Sequence, residues 1–132
     1  MKIVHTSGTR KQSKARATIK EGKGTIRINK QLLEQYMPKL ARMKIMEPAI
    51  LAGDIIKKMD INVNVHGGGW SSQADAARLA IARGLVKFTG SKNLKKEFAE
   101  YDRHLLVADV RRNEPHKPNV SKPRKKRQKS YR

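Results

Sequence analysis

The stretch that decides the fold runs D-I-N-V-N-V-H-G-G-G-W-S-S-Q-A-D-A-A-R-L-A-I-A-R-G-L-V-K-F-T-G from Asp60 to Gly90. It opens with clean alternation: Ile61, Val63 and Val65 on one side, Asn62, Asn64 and His66 on the other. Period two marks a strand with one wet face. Gly67-Gly68-Gly69 breaks it, and the period then changes. Ala77, Ile81, Leu85 and Phe88 recur at helical spacing, so a long amphipathic helix follows, closed by Gly90. Ser71 or Ser72 is expected to cap that helix, with Asp75 three residues after Ser72 at capping-box spacing.

Residues 15–20 alternate in the same way, with Ala15, Ala17 and Ile19 opposite Arg16, Thr18 and Lys20. E-G-K-G at 21–24 is a glycine-rich turn and T-I-R-I-N at 25–29 alternates again, so a hairpin is expected. Residues 2–7 read as a further short strand ended by Gly8. K-Q-L-L-E-Q-Y-M at 30–37 reads as a short helix stopped before Pro38. Pro48 suits a first helical position, which places a helix over roughly 48–59. Residues 91–100 read as another short helix, and L-L-V-A-D at 105–109 as a last apolar anchor. The expected fold is a two-layer α/β (α+β) domain with helices covering one face of one sheet. That domain spans residues 1–110, and residues 111–132 form a separate extended basic tail.

The chain has 132 residues with 31 Lys and Arg against 11 Asp and Glu, a net charge of +20. The excess sits at the ends. Residues 1–30 carry nine basic residues and one acid, residues 111–132 carry ten and one, and residues 31–110 twelve and nine. Val120 and Tyr131 are the only apolar residues in the last 22, which also hold three prolines. Such a tail cannot bury enough surface to offset its ordering entropy, so it is expected to be disordered alone and to fold on binding. A charge density of this kind repels itself, and a polyanion relieves that repulsion while releasing counterions. No apolar run is long enough to cross a bilayer as a helix. The opening M-K-I-V-H-T-S-G-T-R-K has no apolar region of a secretory signal. The absence of Cys excludes a disulfide framework and thiolate metal sites, and fits a reducing cytosol.

Catalytic chemistry finds little support. No two of His5, His66, His104 and His116 stand three or four residues apart, so metal-ligand spacing is absent and no cofactor is expected. His66 is singled out because it stands where the clearest strand meets the glycine turn. Asp54, Asp60, Asp102 and Asp109 form no pair placed for acid–base work, and surface ion pairs account for them. The glycine turn lacks the G-x-x-x-x-G-K-[ST] and G-x-G-x-x-G patterns of nucleotide sites. It reads as a tight turn requiring positive φ, or as one that also packs against a sugar–phosphate backbone.

The basic clusters say more. Arg10, Lys11, Lys14, Arg16 and Lys20 come at near-alternate positions, so several share a solvent face and track a phosphate backbone. Arg78 and Arg83 leave the apolar stripe of the long helix and are expected to point outward. Arg111 and Arg112 open the tail, and Arg124, Lys125, Lys126, Arg127, Lys129 and Arg132 make six of the last nine residues basic. Fully stretched, the tail reaches about 70 Å, against a diameter of about 26 Å for a domain of about 100 residues. Tyr131 offers it one stacking face for a base.

In these segments the chain resembles the universal small-subunit ribosomal protein nine family, over nearly its whole length. The family's mark is a triple glycine, a Gln, small residues at helical intervals and a basic residue before the helix ends. Here G-G-G-W-S-S-Q-A-D-A-A-R-L-A-I-A-R-G-L runs from Gly67 to Leu85, with Gln73, Ala76, Ala80, Ala82 and Arg83 in place. G-T-R-K-Q-S-K-A-R-A from Gly8 is similar to the family's opening strand pair. Y-D-R-H-L-L-V-A-D-V-R-R from Tyr101 and Q-K-S-Y-R from Gln128 are similar to its tail.

The resemblance implies a four-stranded mixed sheet with a left-handed crossover. It implies binding to 16S-type rRNA in the head of the small subunit, beside neighbouring ribosomal proteins. The rRNA-binding set then adds His66, Gly67, Gly68, Gly69 and Gln73 to the cations named above. It further implies that the tail threads through rRNA to peptidyl-site tRNA near the anticodon stem. Arg132 is then the phosphate-contacting tip, with Ser130 and Tyr131 beside it. Bacterial members usually end Ser-Lys-Arg; Tyr131 departs from that as archaeal and eukaryotic members do, and the short N-terminus leans archaeal.

Residues and resemblance together point to a structural, cytoplasmic, RNA-binding ribosomal protein with no catalytic activity and no membrane partner. Two other classes stay open on the residues alone. The RNA-binding subunit of a ribozyme predicts stable binding to a small catalytic RNA. A small phosphotransferase predicts nucleotide affinity that depends on Gly67–Gly69.

Overall fold

The structure, a computed structural model, describes residues 1–126 and 128–131. Among these, strands β1 (Ile3–Arg10), β2 (Ser13–Glu21), β3 (Ile26–Ile28), β4 (Gln31–Leu32) and β5 (Met59–His66) build one sheet. Helices α1 (Lys39–Ala52), α2 (Trp70–Thr89) and α3 (Lys92–Tyr101) accompany it. The strand order is β1-β2-β5-β3-β4, with β5 antiparallel to β2 and parallel to β3. The sheet is mixed, as expected, but the described residues give it five strands rather than four.

The additional strand comes from residues 30–37, expected as a helix. Asn29 (φ 50°) and Lys30 (φ 69°) lie in the left-handed region and turn the chain back, so that Ile28 pairs with Gln31. A 3-10 turn over Leu33–Gln35 follows. The expected hairpin between 15–20 and 25–29 does not form, because β5 inserts between β2 and β3. Ile61 and Val63 there find apolar neighbours on both sides, Ile19 and Ala17 on β2 and Ile26 and Ile28 on β3. Asn29 prolongs the parallel pairing with its side chain: Nδ2 donates to the Val65 carbonyl at 3.1 Å, and Oδ1 accepts the Val65 N–H at 2.8 Å. The hairpin that does form joins β1 and β2 through Lys11 and Gln12.

The alternation of the strands survives folding. Ala15, Ala17, Ile19, Met59, Ile61, Val63 and Val65 are all buried on one face. The long helix α2 lies there and buries Ala74, Ala76, Ala77, Ala80, Ile81, Ala82 and Leu85. Small side chains let it settle close to the sheet, and two glycines set the distance. A Cβ on Gly84 would strike Cδ1 of Ile19, and one on Gly8 would strike the Ala76 carbonyl oxygen. Gly8 therefore lies inside β1 as a contact point, rather than ending the strand.

α1 starts at Lys39, where the Pro38 carbonyl accepts the Arg42 N–H at 3.1 Å. Pro48 lies inside this helix and not at its start, and a 3-10 stretch over Gly53–Lys58 replaces the expected helix end. An interior proline costs a helix about 3 kcal/mol. The Pro48 ring is fully buried, however, alongside Ala41 and Ile45, and that packing offsets the loss. Gly69 is the N-cap of α2 and no side chain caps it, so neither Ser71 nor Ser72 holds that place. Gly90 (φ 65°) closes α2 as expected. Ser91 caps α3, whose Leu94 and Phe98 complete the core, and Leu105 supplies the expected anchor beyond it. After the 3-10 turn at Arg103–Leu105 the described residues form no helix or strand.

Candidate nucleic-acid interface

The helices leave one face of the sheet uncovered. On it β2 lays Lys14, Arg16, Thr18 and Lys20 at alternate positions, so strand geometry sets Lys14 and Arg16 about 6.8 Å apart and Arg16 and Lys20 about 13.6 Å apart. Ser7 and Asn64 flank Arg16 across the register, and Thr9 and His66 flank Lys14. His5, Lys14, Arg16, Asn62, Asn64 and His66 are all exposed. A shallow concavity opens between His5, Ser7, Arg16, Thr18 and Asn64. The acid on this face, Asp60, is engaged elsewhere: its Oδ1 accepts the N–H groups of Lys23 at 2.9 Å and Thr25 at 3.2 Å. Those two bonds hold its carboxyl below the usual range. His5 Nδ1 and Thr18 Oγ1 meet each other at 3.2 Å, while Lys14 and Arg16 leave their charge and donors turned outward. Arg grips a phosphate with two bonds and Lys meets it as a point charge.

The glycine turn is first a joint. Gly67 (φ 80°) and Gly68 (φ 63°) are in the left-handed region, which side chains avoid. They press on the β1–β2 hairpin: a Cβ on Gly67 would meet the Gln12 carbonyl oxygen, and one on Gly68 the Ser13 hydroxyl. The Gly67 carbonyl accepts Ser13 Oγ–H at 2.7 Å and Gln73 Nε2–H at 3.1 Å. Gly69 differs, since a Cβ there would meet nothing within 4 Å. Beside it lies a concavity of about 350 Å³ lined by Lys11, Gln12, Gly68, Gly69, Ser72 and Arg112.

Three of the expected contact arginines turn inward instead. Arg78 is only 12% exposed, and its guanidinium pairs with Glu47 and with Asp102 at 3.1 Å. Arg83 donates Nε–H to the Leu106 carbonyl at 3.0 Å and Nη1–H to the Ser7 carbonyl at 3.1 Å. The expectation that these two point outward fails, because the segment after α3 folds back over α2 and supplies one acceptor to each, with Glu47 of α1 and Ser7 of β1 supplying the others. Arg10 donates to the Arg111 carbonyl at 3.1 Å and lies 3.7 Å from Asp109. Burial works to raise the Asp102 carboxyl, but the His104 N–H and Arg78 outweigh it and hold it below its usual range. Asp109 is driven far below that range, chiefly by the Arg111 side chain and then by the Arg111 N–H.

These bonds root the tail. Arg111 binds Asp109 with its side chain, at 2.7 Å from Nη2, and Arg112 donates to the Lys11 carbonyl at 3.0 Å. Further on, Glu114 accepts from Lys117 at 2.9 Å and Arg124 at 2.7 Å. Lys125, Lys126, Lys129, Ser130 and Tyr131 are exposed. Arg127 and Arg132, named among the contact residues, lie outside the described residues. Among the described residues no group of His, Asp and Glu is placed to hold a metal ion, and no helix is long and apolar enough to cross a membrane.

A family model described as ribosomal protein S9/S16 matches residues 8–132. The chain belongs to that family. The small ribosomal subunit protein uS9 of Methanococcus maripaludis, in strains S2 and C7, is 56% identical over 134 aligned residues covering 100% of both chains. The uS9 protein of Methanococcus vannielii is similar to the same degree. This S9-family chain is therefore a ribosomal protein of archaeal type, structural and not enzymatic. In this S9-family chain the sequence reading missed the braces. Glu47 drew no notice, Asp75 was read as a capping-box residue, and Asp102 and Asp109 were read as surface acids. Their gathering around Arg10, Lys44 and Arg78 is a tertiary fact with no local period. One signal was present: these acids fall in the only region of the chain where charges nearly balance.

Proposed function

We propose that this chain is a structural constituent of the cytoplasmic small ribosomal subunit. It binds 16S-type rRNA in the head and places its tail at the peptidyl-site tRNA. The observation that carries the reading is the uncovered β2 face, where Lys14 and Arg16 project without acid partners among the described residues and Lys20 stands across the register from Asp60. The names of the relatives assign those proteins to the small subunit.

In this reading Lys14, Arg16, Lys20 and His66 meet phosphate and sugar oxygens. Lys11, Gly69 and Arg112 cup a further phosphate at the start of α2, where unbonded N–H groups favour an anion. Arg10, Gln73, Arg78, Arg83 and Arg111 act one step back, with Gly67 and Gly68, by fixing the hairpin, the turn and the tail root. Arg124, Lys125, Lys126, Arg127 and Lys129 neutralise crowded phosphates, while Ser130, Tyr131 and Arg132 form the tRNA end. The crossover from β3 through α1 to β5 is taken as the left-handed one of the family.

Two measurements test this. Removing Ser130–Arg132 leaves small-subunit rRNA binding within twofold and weakens peptidyl-site tRNA binding; equal tRNA affinity ends the tail assignment. Raising salt from 50 to 200 mM lowers rRNA affinity steeply, as counterion release demands for several phosphate contacts. A flat response ends phosphate-led binding.

A further inference from the structure

Helix α1 carries an apolar line with no partner among the described residues. Leu40, Met43 and Ile50 stand at helical spacing on its outer face and are 65%, 53% and 69% exposed, with Met37, 72% exposed, just before the helix. Beside this line Met46 and Ala49 border a largely apolar groove that continues to Ile26 and Leu32. Surface apolar residues are ordinary when scattered; a contiguous set of about 300–600 Å² on a monomer is often functional.

The chemistry of the face selects its occupant. An RNA surface needs donors and cations, yet Lys39 is the basic residue on this line, and Glu47 sits within it. The face is also unlike strand β2, whose outward side chains Lys14, Arg16, Thr18 and Lys20 are all polar. A second copy of the chain is disfavoured, because two molecules at +20 each repel. Around the patch Lys39 and Lys58 are exposed, and Lys57 pairs with Asp54 at 2.8 Å, so a partner's flanks find complementary charge at Lys39 and Lys58 when they are acidic. We infer that the α1 face docks a neighbouring protein of the same particle, through an apolar segment of that protein with acidic flanks. This rests on the small-subunit reading above.

The test uses the full chain reconstituted into small subunits, with a photo-crosslinking residue at Met43 and, in a separate sample, at Arg16. The expected product at 43 is one small-subunit protein, joined at an apolar peptide bordered by Asp or Glu. The expected product at 16 is rRNA. Crosslinks from 43 to rRNA alone, to a second copy or to nothing overturn the inference, while loss of the crosslink at 16 overturns the RNA reading instead. The double variant Leu40→Glu, Ile50→Glu changes only exposed sites, so its melting temperature stays at the parent's value. It lowers retention of the crosslinked protein at least tenfold and leaves rRNA affinity within twofold. Unchanged retention overturns the inference.

Discussion

Arg16 and Arg78 look alike in the sequence, each a cation interrupting an apolar pattern, yet they do opposite things. Arg16 stands on the uncovered sheet face between Ser7 and Asn64. Arg78 is folded against the protein between Glu47 and Asp102. The difference lies in what covers each face. Among the described residues the sheet's outer side has no second layer, so its cations keep their charge for a partner. The outer side of α2 receives α1 and the segment after α3, and its cations are bound by their carboxylates and carbonyls and by the Ser7 carbonyl of β1. A net charge of +20 thus overstates the number of cations available to RNA, and the braces must be subtracted.

The largest expected effect tests the outer set. Replacing Lys14, Arg16 and Lys20 together by Gln lowers rRNA affinity about a hundredfold at low salt and reduces the salt slope by about three. The melting temperature hardly moves, because exposed substitutions change stability by no more than about 0.5 kcal/mol. Filter binding across a salt series and a thermal melt read both. A large fall in stability would show that this face packs against something in the free protein, and the contrast with Arg78 would collapse.

Much of this contrast was legible in the sequence at the strands and hidden at the helix. Alternation at 15–20 and 60–66 announces a face for Arg16, because the period of a strand fixes both sides at once. The same logic found α2 and its closing Gly90. It failed where a distant segment decides. Pairing of β5 with β3 depends on residues more than thirty positions apart, and no local pattern encodes it. Pro48 was read as a helix start because local rules penalise it inside, whereas its burial in the core decides the outcome. Gly8 and Gly84 gave no local sign of being the two places where helix meets strand.

The next effects test the inner set. Gly84→Val forces a branched side chain into the space of Ile19 and Thr6 and lowers stability by about 1–3 kcal/mol. Arg78→Met removes the partner of Glu47 and Asp102 and lowers stability by about 1 kcal/mol, a modest value because Asp102 is 36% exposed and partly solvated. For both, denaturant unfolding gives the loss, and rRNA affinity of the folded protein changes less than threefold. An Arg78→Met protein that keeps full stability but binds rRNA tenfold more weakly would move Arg78 into the contact set.

The smallest effect isolates the tail root. Asp109 binds Arg111 and neighbours Arg10, and those cations depress its carboxyl. A group whose folded value lies below its unfolded one adds stability above the unfolded value, near pH 4 for Asp. That contribution shrinks as pH falls below about 4 and vanishes only once the folded carboxyl also takes a proton. The gap in melting temperature between the native chain and Asp109→Asn is therefore widest near neutral pH and narrows steadily in acid. The gap reports on the brace alone, since neither protein changes a residue of the β2 face. A gap that stays constant from pH 6 to pH 2 would mean that the Asp109–Arg111 contact contributes nothing electrostatic, and that the root is held by Arg10 and Arg112 on backbone carbonyls instead.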